Sequence, residues 1–233
     1  MGVKFLAFEA ATTRLSVALW CDGVIAEKSA LVPNGGSERL LPWANELLAE
    51  AGISLKQLDG IAFGAGPGGF TGLRLACGVA QGLACGLDLP VAPVGTLAAL
   101  ALAGGEGKAL ACLDARMNEI YLAAYLVIGE GVQEIMPSKV GAGATSPLPE
   151  GDGWCGVGDG FATPHGLALQ QRMGERLGVV DAAAFPTATA VARLAAQVLA
   201  RGEGVGAERA LPLYVRDKVA LTTAERLARG GVK

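Results

Sequence analysis

The chain has 233 residues, a formal net charge of −3 and a composition of 52% hydrophobic and 18% charged residues. This length suits one large domain or two small ones, and the apolar content excludes a disordered chain. The acidic balance provides no general basic field, so a free-standing module that binds nucleic acid is disfavoured.

The first hundred residues alternate between strand and helix patterns. Strands are predicted over 3–9, 16–21, 24–31, 60–64 and 89–94, and helices over 37–51 and 70–85. Thr96 is predicted to cap a further, alanine-rich helix. Strand–helix–strand spacing of this kind favours parallel pairing with right-handed crossovers, and therefore an α/β fold.

The pattern then restarts, which predicts an internal duplication. Glu9 ends a strand and Ser16 begins the next, while Asp114 and Tyr121 occupy the same places 105 residues later (9 to 114 and 16 to 121). The glycine-rich string at 63–70 is echoed at 156–161, and Thr187 opens a helix at 188–200. We expect a first lobe over 1–106, with a C-terminal helix at 217–233 packed on it, and a second lobe over 107–216. Residues 141–153 are predicted to form an exposed loop.

Cysteine usage and hydropathy bear on the compartment. The five scattered cysteines predict reduced thiols rather than a disulfide framework. Glu9 and Arg14 interrupt the first apolar stretch, so no signal peptide is predicted, and no run of about 18 apolar residues indicates a membrane span. We therefore expect a cytoplasmic protein that does not enter a membrane.

The glycine-rich turn after the fourth strand is the first candidate site. Gly64, Gly66 and Gly69 match the dinucleotide pattern G-x-G-x-x-G. A dinucleotide site also needs an acidic residue at the end of the second strand, whereas Asp88 precedes its strand, and Pro67 removes an amide from the turn. No Lys-Ser/Thr pair follows the glycines, so a Walker loop is excluded. We expect no bound cofactor.

The fuller string GAGPGGFTGLR at 64–74 resembles the GPGSFTGLR signature of the TsaB family, also called YeaZ. Three other stretches look like family elements in the family order: SERLLP at 37–42, DAR at 114–116 with Tyr121, and PLYVR at 212–216. The resemblance covers nearly the whole chain and implies a duplicated actin-like (ASKHA, ribonuclease H-like) α/β fold. The family motif turn comprises Gly64, Gly66, Pro67, Gly68, Gly69, Phe70, Thr71, Gly72 and Arg74. The chain departs from the family at Glu9, usually Asp, and at Gly36, often His.

The two acidic strand ends are interpreted as vestigial positions. An actin-like ATPase wraps phosphates with backbone amides, usually with a glycine in each hairpin turn. Glu9 is followed by Ala-Ala-Thr-Thr and Asp114 by Ala-Arg-Met-Asn, without glycine. Each carboxylate is expected to accept hydrogen bonds from turn amides. His165 is the only histidine, so no metal site and no catalytic residue are predicted.

The resemblance implies a role as well as a fold. TsaB-like proteins are non-catalytic partner subunits that bind and activate the TsaD transferase. TsaD transfers a threonylcarbamoyl group to the tRNA adenosine next to the anticodon, and a TsaE-like ATPase completes the complex. This implies that tRNA is the substrate of the complex and that the chain forms a homodimer when alone. The main alternative is an autonomous actin-like enzyme, either an ATPase or kinase or a peptidase.

The resemblance also implies that the helices at 37–51 and 70–85 form the partner surface. The predicted interface residues are Leu40, Leu41, Trp43, Ala44, Leu47, Leu73, Ala76, Val79, Ala80 and Leu83. The second helix is apolar on nearly every side, so a core position for it remains open. Gly72, Gly78 and Gly82 cost about 1 kcal/mol each in a helix interior, which the close approach of another helix would explain.

Overall fold

Ten strands and five α-helices make up the part of the chain that the computed structural model describes, residues 2–32 and 36–216. The first sheet contains β1 (Lys4–Glu9), β2 (Arg14–Cys21), β3 (Val24–Leu31), β4 (Gly60–Gly66) and β5 (Val91–Gly95). The second contains β6 (Gly107–Asp114), β7 (Ile120–Ile128), β8 (Gly131–Gly141), β9 (Trp154–Val157) and β10 (Leu177–Asp181). The helices are α1 (Leu40–Glu50), α2 (Phe70–Leu87), α3 (Thr96–Ala101), α4 (Pro164–Met173) and α5 (Ala188–Ala200). The predicted helix at 217–233 lies outside the described residues.

The two sheets share one topology. Their strand orders are β3-β2-β1-β4-β5 and β10-β9-β6-β7-β8, which are the same order read from opposite ends. In each sheet the first three strands form an antiparallel meander, and the last two join it in parallel. The predicted α/β fold with an internal duplication is therefore confirmed.

The register of the second hairpin differs by one residue from the prediction. Glu9 pairs with Ser16 in the first sheet, whereas Asp114 pairs with Ile120 rather than with Tyr121. The paired Asp114 and Ile120 are thus one residue closer in sequence than the paired Glu9 and Ser16. Because side chains alternate along a strand, Ile120 and not Tyr121 is the counterpart of Ser16.

Helices cover both faces of the first sheet, so its central strands read as continuous apolar runs. Leu6 and Phe8 of β1 pack with α1 and α2 on one face, while Phe5 and Ala7 pack with α5 on the other. This sandwich places the carboxyl ends of β1 and β4, with the turns that follow them, at one edge of the sheet.

In each half, the last helix that the structure describes packs against the other half. Leu97 and Leu100 of α3 lie in a core with β6 and β7, whereas Val191 and Ala195 of α5 lie in a core with the first sheet. The chain downstream of α5 also returns to the first half, where Val205 bonds to Val91 on both backbone groups. This exchange joins the two lobes on one side of the molecule.

Two local predictions require correction. Thr96 does not cap α3, because its hydroxyl accepts from the Gly66 amide at 3.0 Å and Gly95 is the N-cap. The segment at 141–153 is not simply an exposed loop, since Ser146 is buried and Arg172 donates to the carbonyls of Gly143 and Ser146 at 2.7 and 2.8 Å. Thr187, by contrast, caps α5 as its sequence position indicates.

The apolar helix α2 bears on the prediction that no segment of the chain is suited to span a membrane. Its 18 residues have a mean hydropathy of 1.2, so length and composition alone would let it cross a membrane, contrary to our sequence expectation. Ala76, Ala80 and Ala84 on its inner side are buried in the core of the first sheet. The apolar character of α2 therefore comes in part from its position in the fold.

Candidate functional site

The family motif turn forms one continuous structure at the carboxyl end of β4. Gly64 and Gly66 end the strand, Pro67 follows through a cis peptide bond, and Gly69 is the N-cap of α2. Phe70, Thr71, Gly72 and Arg74 lie in the first two turns of that helix. In an actin-like enzyme such a turn would be a candidate phosphate-binding loop. Whether a phosphate could bind depends on the space left open next to the glycine backbone.

The β1–β2 turn occupies the space above the glycines that open α2. A Cβ atom on Gly68 would lie 2.6 Å from Cβ and from the carbonyl oxygen of Ala11, and one on Gly72 would overlap the carbonyl oxygen of Ala10. The Gly69 amide donates to the Ala11 carbonyl at 2.7 Å. The helix N-terminus, which would otherwise bind an anion, is therefore covered by the chain's own backbone.

The remaining two glycines of the strand end are covered in the same way. A Cβ on Gly64 would overlap the carboxylate of Glu9, and one on Gly66 would lie 2.9 Å from the carbonyl oxygen of Leu213. Glycine is needed at both positions because other parts of the chain pack directly on the backbone. The motif is thus built for close packing, and no room for a phosphate remains on these faces.

Glu9 is sealed within this packing. It is fully buried, and Oε1 accepts from the Ala11 amide at 2.6 Å, as predicted for a vestigial position. Burial raises the pKa of Glu9 to about 7, although the amides of Ala11 and Ala10 and the hydroxyl of Thr96 act in the opposite direction. Its Oε2 has no hydrogen-bond partner among the described residues and faces Gly64. Glu9 has no path to a substrate.

Asp114, the counterpart in the second lobe, lies in a more open environment. Its side chain is 24% exposed, accepts from the Arg116 amide at 2.8 Å and forms an ion pair with the Arg116 guanidinium at 3.0 Å. Arg116, Met117 and Asn118 adopt left-handed backbone angles, with φ of 59°, 53° and 61°. Asp159 accepts from the Asp114 amide at 3.0 Å, and burial raises the pKa of Asp159.

The second lobe also packs its glycine loop against its own first strand. A Cβ on Gly158 or Gly160 would overlap atoms of Cys112 in β6. Within residues 2–32 and 36–216, no three His, Cys, Asp or Glu side chains are grouped to hold a metal ion. The described residues of the two lobes therefore leave no open phosphate or metal cradle in this conformation.

Six of the ten predicted interface side chains are buried in the chain's own core. These are Leu40, Ala44, Leu47, Leu73, Ala76 and Ala80, which pack beneath α1 and α2 on the first sheet. They form the inner stripes of the two helices and cannot contact a partner in this conformation. Leu41 is 45% exposed, whereas Trp43, Val79 and Leu83 are half-buried because each also packs against the core, so the accessible apolar surface of the predicted set comes from these four.

The outer side of α2 carries a row of glycines. Gly78, Gly82 and Gly86 are four residues apart, lie exposed, and would bring an added Cβ within 4 Å of no other described residue. Gly72 differs, because contact with Ala10 explains it within the chain. A partner helix approaching closely would explain the other three. We name the exposed sides of α1 and α2, with Leu41, Trp43, Val79, Leu83 and these three glycines, the outer helix face.

The segment 211–216 was not predicted to have a role beyond its family resemblance. It packs on the glycine turn through Leu213, and its Tyr214 and Arg216 contact both lobes. These contacts join positions at least 97 residues apart, so no local pattern in the sequence could reveal them.

Comparisons with known proteins agree with this architecture. A family model described as "TsaD: tRNA N6-adenosine threonylcarbamoyltransferase" matches residues 31–153. The tRNA threonylcarbamoyladenosine biosynthesis protein TsaB of Escherichia coli is 35% identical over 94% of this chain and 96% of its own length. The TsaB of Haemophilus influenzae is 43% identical over 52% of this chain and 53% of its own length. The solved structure of YeaZ from Pseudomonas aeruginosa is 38% identical, covers 91% of this chain and 99% of its own, and has a TM-score of 0.83. The actin-like architecture expected from the sequence is thereby confirmed.

Proposed function

Because the chain belongs to the TsaB family of tRNA threonylcarbamoyladenosine biosynthesis proteins, we propose that it is a non-catalytic subunit that binds and activates a TsaD-like transferase. The transferase supplies the catalytic site and moves the threonylcarbamoyl group to the adenosine next to the anticodon. A TsaE-like ATPase joins the same complex, tRNA is its substrate, and the complex works in the cytoplasm.

One observation carries the non-catalytic assignment. The four glycines that would shape a phosphate cradle are covered by Glu9, the Ala10–Ala11 backbone and Leu213. A nucleotide phosphate bound at this turn would need these faces open so that it could reach the backbone amides. The packed turn therefore favours a partner role over an autonomous enzyme.

The outer helix face is the surface that we assign to the partner. Two helices packed through glycines approach more closely than the usual 8–10 Å between axes, which increases their contact. Leu41 and Trp43 add apolar area of the kind that specific interfaces bury, about 800 Å² per partner. In the absence of the transferase, a second copy of the chain occupies the same face and forms the homodimer.

Reconstituted tRNA modification tests this function. A TsaD-like subunit, a TsaE-like ATPase, unmodified tRNA and threonylcarbamoyl-adenylate are combined with and without the chain, and modified adenosine is measured by mass spectrometry. We expect modification only when the chain is present, and no ATP hydrolysis by the chain alone. Equal modification without the chain would overturn the proposal. ATP turnover by the isolated chain that disappears in Asp114→Asn would favour the autonomous enzyme.

A further inference from the structure

The segment 211–216 contacts both lobes and is hydrogen-bonded to the first lobe through its backbone. The Leu213 amide donates to the Ala65 carbonyl at the end of β4, at 2.7 Å. The Leu213 carbonyl lies against Gly66, where any larger residue would meet it at 2.9 Å. The main chain of this segment is therefore held directly on the glycine turn.

Tyr214 bonds the same segment to the start of α2. Its hydroxyl accepts from Arg74 Nε at 3.0 Å, and its ring centroid lies 6.1 Å from that of Phe70. The Arg74 guanidinium stacks over the Phe70 ring at 3.8 Å. These three side chains lie at the N-terminal end of the helix that carries the outer helix face.

Arg216 bonds the segment to the second lobe. Its guanidinium donates to the Ala115 carbonyl at 3.1 Å and to the Glu119 carboxylate at 2.6 Å, and its side chain is only 13% exposed. Both partners lie in the β6–β7 turn, the counterpart of the turn that seals Glu9. The contact with Glu119 is a charge-assisted hydrogen bond, which is stronger than a neutral one.

We propose that residues 213–216 form an interlobe clasp that fixes the β6–β7 turn relative to α2. The exchanged helices α3 and α5 join the two lobes, and the clasp joins them a second time, between the glycine turn and the β6–β7 turn. The chain just before the clasp is also held on α2, because Cys77 and Gln81 both donate to the Ala210 carbonyl at 3.1 Å. The clasp would transmit binding at the outer helix face to the second lobe, and this second step rests on the proposed function.

Hydrogen exchange in the isolated full-length chain tests the clasp itself. The amides of Leu213, Ala115 and Glu119 are all hydrogen-bonded and report on its two ends. In Arg216→Gln we expect exchange at all three to be at least about tenfold faster, as loss of one net hydrogen bond would produce. Tyr214→Phe removes only the hydroxyl and should accelerate Leu213 alone.

The matched control is Arg209→Gln, which removes the same charge from an exposed side chain that, among the described residues, forms an ion pair with its neighbour Glu208 alone. Exchange in this control should equal that of the wild type. Unchanged exchange in both Arg216→Gln and Tyr214→Phe would overturn the clasp, as would rapid exchange of Leu213 in the wild type. If Arg216→Gln fails to fold, Tyr214→Phe alone decides.

Adding a TsaD-like subunit tests whether binding at the outer helix face is transmitted to the second lobe. In the wild type we expect slower exchange at 115–119 on binding, and in Arg216→Gln we expect binding without that change. Equal slowing in both proteins would contradict transmission through the clasp. If the wild type does not bind the subunit at all, the proposed function and the transmission both fail, whereas the result on the isolated chain still decides the clasp.

Discussion

The β1–β2 turn and the β6–β7 turn are counterparts in a duplicated fold, but they lie in opposite environments. The first has small residues, Ala10 and Ala11, and wedges into the glycine turn, so that Glu9 is fully buried. The second carries Arg116 and Met117, remains at the surface, and is bonded by the clasp instead. Duplication thus preserved the topology while each turn acquired a different packing role, and neither kept an open phosphate cradle.

The largest effect is expected where the first turn meets α2. In Gly72→Ala the new methyl group would overlap the Ala10 carbonyl, a backbone atom that cannot rotate away. We expect the free energy of unfolding to fall by about 3 kcal/mol or more, measured by urea denaturation. Gly78→Ala is the matched control in the same helix. The added methyl group meets no atom of the described residues, so at concentrations at which the chain is monomeric it should stabilise the chain by about 1 kcal/mol. Equal stability of the two variants would contradict the close packing of the β1–β2 turn on α2.

Glu9 should give the chain an unusual pH dependence. The folded form holds its proton up to a pKa of about 7, whereas the unfolded form releases it near the ordinary value of 4.5. Between these values the folded state binds more protons at Glu9, so the contribution of this group to stability is greatest below pH 4.5 and is lost as pH rises through 7. The loss from this group is about 3 kcal/mol. In Glu9→Gln, which imitates the protonated acid, this loss should vanish.

Urea denaturation at pH 5 and pH 8 measures the effect. Glu9→Gln should be more stable than the wild type at pH 8 and nearly equal to it at pH 5. Asp159→Asn in the second lobe should act in the same direction but less strongly, because Asp159 is open to solvent on one side. A wild type whose stability rises between pH 5 and pH 7, with no difference in Glu9→Gln, would show that Glu9 is not sealed.

The smallest effect concerns the left-handed turn of the second lobe. Met117 has a φ of 53°, which costs about 1–2 kcal/mol for a residue with a side chain. Met117→Gly relieves this strain but adds freedom to the unfolded chain, so we expect it to be about 0.5–1 kcal/mol more stable than Met117→Ala. Both variants lose the contact with Arg216, so the difference between their melting temperatures reports only the cost of the left-handed backbone angle. Equal melting temperatures would contradict the left-handed assignment.

Much of the fold could be predicted from the sequence because local patterns specify it. Helical spacing sets Leu40, Ala44 and Leu47 on one stripe of α1 apart from Leu41 and Trp43, and the structure places the first three in the core. Both groups were nevertheless assigned to one interface, because spacing shows that a stripe is apolar and not which surface covers it.

The role of the glycines could not be predicted in the same way. The pattern G-x-G-x-x-G is compatible both with phosphate binding and with close packing of protein atoms. What decides between them is the position of Ala10 and Ala11, which are about sixty residues distant in sequence. Thr96 was misassigned for a related reason, since its hydroxyl is used by Gly66 across the sheet rather than by its own helix.

The most direct test of the account is calorimetric binding of the chain to a TsaD-like subunit. Leu41→Glu and Trp43→Glu place a charge on the outer helix face, and Val179→Glu places one at a 77%-exposed position in β10 of the other lobe. We expect Val179→Glu to bind like the wild type. The first two variants should stay folded by circular dichroism and bind about 100-fold more weakly, because each loses a seated apolar side chain and buries a charge. Folded Leu41→Glu and Trp43→Glu that bind with wild-type affinity would contradict the claim that this chain acts through its outer helix face.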